Sequence, residues 1–204
     1  MCGVEDDLKM ARKEDLRFVR TNRKLFETFW TLCGEKVMDE LSVTDICEAA
    51  GINRATFYKH FVDRKEFSMY CIAQKLLEVR LEHTGREFVN VNTYYDDALR
   101  EMFAFLRYVK ELNAENLLAG SSSVRILYDG MMRYYFNEFL AVIKKAKIAP
   151  SVESGVYAAY RIGSLLSIGF YSCMKGDELM SEESCEKVID TLIFRLKEAE
   201  KQLN

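Results

Sequence analysis

Proline is almost missing from this chain: Pro150 is the single one among 204 residues, and glycine numbers only ten. Proline removes a backbone donor and glycine costs conformational entropy inside a regular element, so their scarcity favours long uninterrupted elements. No segment alternates apolar and polar residues between turn residues, which makes helix rather than strand the expected element throughout. No apolar run approaches the ~18 to 20 residues of a membrane span, and no membrane partner is expected. The opening stretch, residues 1–7, is acidic and lacks an apolar run, so no secretory leader is expected. Histidine is limited to His60 and His83, and the six cysteines (Cys2, Cys33, Cys47, Cys71, Cys173 and Cys185) form no C-x-x-C pair. That spacing gives poor support for a zinc site, and neither metal nor cofactor is expected. Reduced thiols in a cytoplasm are the simplest reading. There is no nucleophile-and-base pair in a supporting context and no phosphate-cradling glycine loop, so an enzyme is not expected.

What is present fits a folded protein: 49% apolar, 30% charged and 12% aromatic residues. The formal net charge is −3, so any affinity for nucleic acid must come from a local patch. One exists. Between Lys9 and Lys24 stand seven basic residues (Lys9, Arg12, Lys13, Arg17, Arg20, Arg23 and Lys24) against Glu14 and Asp15. If Lys9 to Cys33 is helical, Phe18, Leu25, Phe29, Leu32 and Cys33 form one apolar stripe. Lys9, Lys13, Arg17, Arg20 and Lys24 gather on the opposite side.

The next segment predicts two short helices. Ser42, with Asp45 three residues on, is a capping pattern for a helix that stops at Gly51, where a left-handed backbone is required. Asn53 then caps a second helix, 54–60. Two short helices across a glycine turn are a helix-turn-helix pattern. Ile46, Ala50, Ile52, Phe57 and Phe61 can close a small core, leaving Arg54, Ala55, Thr56, Tyr58 and Lys59 outside it. A packing helix has no use for such a face, whereas a helix lying in a major groove does. Asp63 with Glu66 caps a long helix toward His83, the only evident covalent route into the rest of the chain.

The stretch from Leu41 to Phe61 (LSVTDICEAAGINRATFYKHF) resembles the DNA-binding segment of the tetracycline-repressor (TetR) family of bacterial regulators, and Asp15 to Leu25 is similar to that family's first helix. The likeness spans about residues 15 to 70. It implies an all-α chain: a three-helix helix-turn-helix domain, 1–62, followed by a helical effector-binding and dimerisation domain, 63–204. It also implies backbone contacts with DNA by Thr44, Tyr58, His60 and Arg64, approach to bases by Arg54, Ala55, Thr56 and Lys59, and contacts from Arg17 and Thr21. The family places a lysine three residues after the position of Phe61. Arg64 stands there instead, beside Lys65. The implied function is a homodimeric regulator, a repressor in most members, that binds a palindromic double-stranded operator and responds to a small molecule. The alternative is a helical protein-interaction module that keeps the fold without sequence-specific DNA binding.

Beyond Gly85 the expected helices are 93–112, a short one at 114–118, 124–147, 151–174 and 181–202. Ala159, Gly163 and Ser167 step by four, a ridge of small residues suited to close helix approach. Arg161 lies in an apolar context and suits an anionic ligand, an ion pair or an interface. Phe103, Phe105, Tyr128, Met131, Met132, Tyr135 and Phe136 form an aromatic and methionine-rich set that suits either a pocket or plain core. The expected effector site comprises Phe103, Tyr128, Met131, Met132, Tyr135 and Arg161.

Overall fold

The computed structural model describes residues 2–84, 91–118, 121–147, 153–175, 181, 183–188 and 190–191, with side chains placed over 16–82, 93–112, 122–147, 153–173, 181, 183–188 and 190–191. Among these residues every regular element is helical. In order they are α1 (Cys2–Glu35), a 3-10 turn (Met38–Glu40), α2 (Val43–Ala50), α3 (Arg54–His60), α4 (Arg64–Thr84), α5 (Val91–Leu118), α6 (Ser121–Ala146) and α7 (Ser154–Lys175). Residues 183–188 are also helical; the rest of the helix expected to Gln202 lies mostly outside the described residues. No described helix is long and apolar enough to cross a membrane.

Helix boundaries follow local chemistry. Ser42 and Asp45 form the reciprocal cap: the Ser42 hydroxyl accepts from the Asp45 N–H at 3.1 Å, and Asp45 Oδ2 accepts from the Ser42 N–H at 2.8 Å. At the other end of α2, Gly51 adopts φ 59°. Its N–H reaches the Glu48 carbonyl while Ile52 N–H reaches Cys47, the paired closure of a Schellman motif. Asp63 accepts from Glu66 N–H at 2.7 Å, and Glu66 accepts from Val62 N–H at 2.7 Å, so α4 is capped one residue further out than the reciprocal pattern requires. The Glu153 carboxylate accepts from Gly155 and Val156 at the start of α7, and the Gly155 contact leads in lowering its pKa.

Three boundaries differ from expectation. The pause between 112 and 114 is absent, and α5 runs unbroken because no proline or glycine interrupts it. α6 begins at Ser121, taking Ser121–Ser123 into its first turn rather than into a loop. α1 begins at Cys2, seven residues before Lys9.

The chain divides into two compact units, Met1–Cys71 with Leu112–Ile126, and Ile72–Glu111 with Leu127–Asn204. α4, α5 and α6 each contribute residues to both. In the first unit Leu25, Phe29 and Cys33 of α1, Ile46 and Ala50 of α2, and Phe57, Phe61, Phe67 and Cys71 are buried. Phe67 is the hub. Its ring centroid lies 5.5 Å from Phe29, 5.2 Å from Phe57 and 4.9 Å from Phe61. A buried Phe contributes about 1.5 to 3 kcal/mol, so this cluster is the main attachment of the short α3. In the second unit Tyr94, Met102, Phe103, Met131, Tyr135, Phe139 and Ile162 are fully or almost fully buried. There α7 approaches α5 closely at Gly169, where an added Cβ would stand 2.5 Å from Met102 Sδ.

Candidate functional site

α3 is seven residues long and cannot persist alone. Asn53 holds its first turn by accepting from Ala55 N–H at 2.8 Å, and Phe57 holds its inner side with none of its surface exposed. The opposite side stays in solvent. Arg54, Ala55 and Lys59 are exposed, Thr56 is half-buried, and Tyr58 is 49% exposed. Tyr58 meets Phe57 edge-on at 5.5 Å, so its ring is braced on one side while about half of the residue stays in solvent. This is the face that the sequence assigned to base and backbone contacts.

The flanking residues have more varied placements. Arg17 and Arg20 of α1 are exposed, and Thr21 and Thr44 are half-buried. Arg23 is exposed and pairs with Glu27 at 2.6 Å. Lys24 Nζ stands 3.6 Å from where a Cβ on Gly51 would be, next to the carbonyl end of α2, a favourable position for a cation. The side chains of Lys9, Arg12 and Lys13 lie outside the described residues.

His60 is half-buried. Its ring stacks on Phe18 with centroids 4.0 Å apart, and Nδ1 is 2.6 Å from Asn22 Oδ1. An amide oxygen only accepts, so this contact puts the proton on Nδ1. Burial, and secondarily the nearby Lys59 charge, lowers the imidazole pKa, which keeps the ring neutral near pH 7. His60 thereby ties α3 to α1. Arg64 is half-buried, and its Nη1 donates to the carbonyls of Met38, Asp39 and Leu41 at 2.8, 3.2 and 3.1 Å. It clamps the segment leading into α2, while its neighbour Lys65 is exposed. Sequence reasoning missed Phe18 and Asn22 as partners of His60. Their four-residue spacing, one helical turn on α1, was the available signal.

The residues expected to bind an effector are described within the second unit. Phe103, Met131 and Tyr135 are fully or almost fully buried, and Tyr128 and Met132 are half-buried. Tyr128 packs on Phe170 at 5.5 Å. Arg161 lies 4.0 Å over the Tyr95 ring and donates to the hydroxyls of Tyr95 and Tyr157. An open groove of about 700 Å³ lies along α7, lined by Ser167, Ile168, Tyr171, Ser172, Lys187, Val188 and Thr191, and none of the six is among these residues. No three His, Cys, Asp or Glu side chains among the described residues group so as to hold a metal ion. Burial raises the thiols of Cys33, to about 12, and of Cys173, to about 11, which makes both poor nucleophiles.

Residues 30–67, from the hydrophobic end of α1 through both short helices into α4, match the family of bacterial regulatory proteins of the tetR type. The chain carries a tetR-family helix-turn-helix. Beyond this tetR segment the likeness is one of fold. The dihydroxyacetone kinase operon activator DhaS is 19% identical over 91% of this chain and 98% of its own, with a TM-score of 0.50. A TetR-family transcriptional regulator from Rhodococcus sp. is 18% identical over 85% of this chain and 99% of its own, at 0.49, and GusR of Salmonella enterica is 17% identical over 87% and 95%, at 0.46. No match was found among curated protein sequences. The fold is thus like that of DhaS, and residues 30–67 carry the match to the tetR family, whose members bind DNA and act as dimers.

Proposed function

We propose that this protein is a homodimeric transcription regulator, a repressor, whose α3 enters the major groove of a palindromic operator and whose residues 63–204 bind a small-molecule effector. The observation that carries the reading is the two-sidedness of α3: Phe57 is wholly inside and Arg54, Tyr58 and Lys59 are outside. Arg54, Ala55, Thr56 and Lys59 take the base-facing role. Arg17, Thr21, Thr44, Tyr58 and Arg64 take the backbone, with Arg64 also holding the segment before α2, while His60, its one N–H given to Asn22, seats α3 on α1 rather than meeting a phosphate. Base contacts discriminate, whereas phosphate contacts orient and make affinity salt-dependent.

α7 supports the dimer. Val156, Tyr160 and Tyr171 are 60%, 72% and 53% exposed, and they flank the small residues Ala159, Gly163 and Ser167. A Cβ on Gly163 would meet nothing within 4 Å. Among the described residues this exposed face adjoins the groove lined by Lys187, Val188 and Thr191, and it suits a second copy of the chain. Two recognition helices so joined would sit about 34 to 36 Å apart on DNA. Effector binding needs to supply only about 1 to 3 kcal/mol of coupling to shift DNA affinity roughly 5- to 150-fold.

The test is a Tyr58→Ala, Lys59→Ala double variant, titrated against DNA from upstream of its own gene at several salt concentrations. Affinity should fall at least tenfold and the salt slope should become shallower. Unchanged, salt-insensitive binding would remove the regulator reading and leave the helical interaction module. Gly163→Glu should shift the protein toward monomer in sedimentation equilibrium, and an unaltered dimer would place the seam elsewhere.

A further inference from the structure

The second unit buries a carboxyl group that it does not satisfy. Glu101, on α5, has none of its surface exposed, and neither of its oxygens has a hydrogen-bond partner. Among the described residues, charged and titratable groups face it from three helices. From α4, Arg80 Nε stands 3.9 Å from Oε2. From α6, the phenols of Tyr134 and Tyr135 lie near enough to favour the charged carboxylate, yet neither phenol oxygen completes a hydrogen bond. Glu138, also on α6, accepts from Arg80 Nη1 at 2.8 Å and keeps 36% of its side chain exposed. Tyr94, on α5 itself, donates its hydroxyl to the Tyr135 carbonyl at 2.9 Å.

Two carboxylates here share one guanidinium, and the better geometry belongs to Glu138. An ionised Glu101 would have surrendered its hydration for one long contact with Arg80 and two nearby phenols that complete no hydrogen bond, whereas the neutral acid surrenders far less. Burial is the main cause that pushes its pKa up to about 8, against the pull of Arg80.

We infer that Glu101, Arg80 and Glu138 form a proton-dependent latch: while Glu101 is neutral Arg80 belongs to Glu138 and ties α4 to α6, and when the proton passes to solvent the two carboxylates compete for Arg80 and the tie loosens. α4 begins at Arg64, directly after the recognition helix, so the latch holds the far end of a helix that also serves the DNA-binding unit. The affinity readout below rests on the regulator reading; the proton chemistry does not.

The experiment compares the full chain with its Glu101→Gln variant. Between the ordinary carboxylate range and about pH 8 the folded protein holds a proton that the unfolded chain has lost, so wild-type stability falls as pH rises through that window and levels off above it. Glutamine has no such proton. The thermal midpoint of the variant should therefore exceed that of wild type by a margin that widens up to pH 8 and then stays constant; a margin independent of pH overturns the latch. Should the variant fail to fold, wild-type protein labelled with 13C-glutamate decides the matter. One carboxyl should titrate near pH 8, and a set titrating wholly below pH 6 overturns the proposal. Glu138→Gln should leave Arg80 to Glu101 and move that titration downward by a unit or more, and an unmoved titration overturns the competition. Operator affinity should change between pH 7 and 9 in wild type and stay flat in Glu101→Gln, and an identical pH response in both proteins severs the latch from α4. If neither protein binds DNA while the carboxyl still titrates near 8, the latch stands and the regulator reading falls.

Discussion

Around α2 and α3, His60 apart, polar residues such as Ser42, Asp45 and Asn53 close helix ends and others, such as Arg54 and Lys59, remain in solvent. The second unit treats them differently: Glu101, Arg80 and Arg161 are buried within its helices. The first arrangement exploits a local rule, because a cap acts on donors two or three residues away. The second depends on partners far along the chain, as Arg80 and Glu138 are 58 residues apart. One unit leaves its polar chemistry at helix ends and in solvent, while the other keeps it inside, where burial makes each charge sensitive to its neighbours.

The largest effect that would sharpen this contrast is at the centre of the first unit. Phe57→Ala should cost about 3 to 5 kcal/mol, measured by urea unfolding, because it empties the only fully buried position of α3. A loss below 1 kcal/mol would mean that α3 does not depend on this cluster. Arg54→Ala should spare stability yet weaken binding to the cognate site by about 1 to 3 kcal/mol, with less loss on random DNA. Equal losses on both would make Arg54 a backbone contact.

Two glycines separate the units by mechanism. Gly51→Ala should cost about 1 to 2 kcal/mol through its backbone angle, with room available for the methyl group. Gly130→Ala gains about 1 kcal/mol of helix propensity but pushes a Cβ to 2.9 Å from Ile72 Cδ1 and 3.2 Å from its stiff Cβ. Overpacking costs about 1 to 3 kcal/mol, so a net loss of about 1 kcal/mol should appear in thermal unfolding, and a net gain would show that α6 can move aside.

Ser42→Ala should remove about 1 kcal/mol by breaking the cap of α2. The smallest effect is acid sensitivity at His60. Its folded pKa lies below the ordinary value of 6.5, so its contribution is complete above that value and is lost as pH falls through the depressed one. Thermal midpoints from pH 7 to 5 should decline less in His60→Gln than in wild type. Parallel declines would show that the Asn22 and Phe18 contacts survive protonation.

The amino-acid sequence by itself determined the all-helical class, both ends of α2, the start of α3 and which side of α3 faces solvent. Those features follow from interactions spanning one or two helical turns: Ser42 with Asp45, Gly51 with Cys47 and Glu48, and the four-residue step from Phe57 to Phe61. Only the tertiary structure decided that His60 leans on Phe18 and Asn22, that Arg64 Nη1 serves three backbone carbonyls, that α5 continues through Asn113, and that Glu101 shares Arg80 with Glu138. Apart from the run of α5, which the lack of a breaking residue allowed but did not require, these outcomes depend on which distant side chains meet. Nothing in the residues around Glu101 marked it for burial, because its burial belongs to the packing of three helices rather than to any one of them.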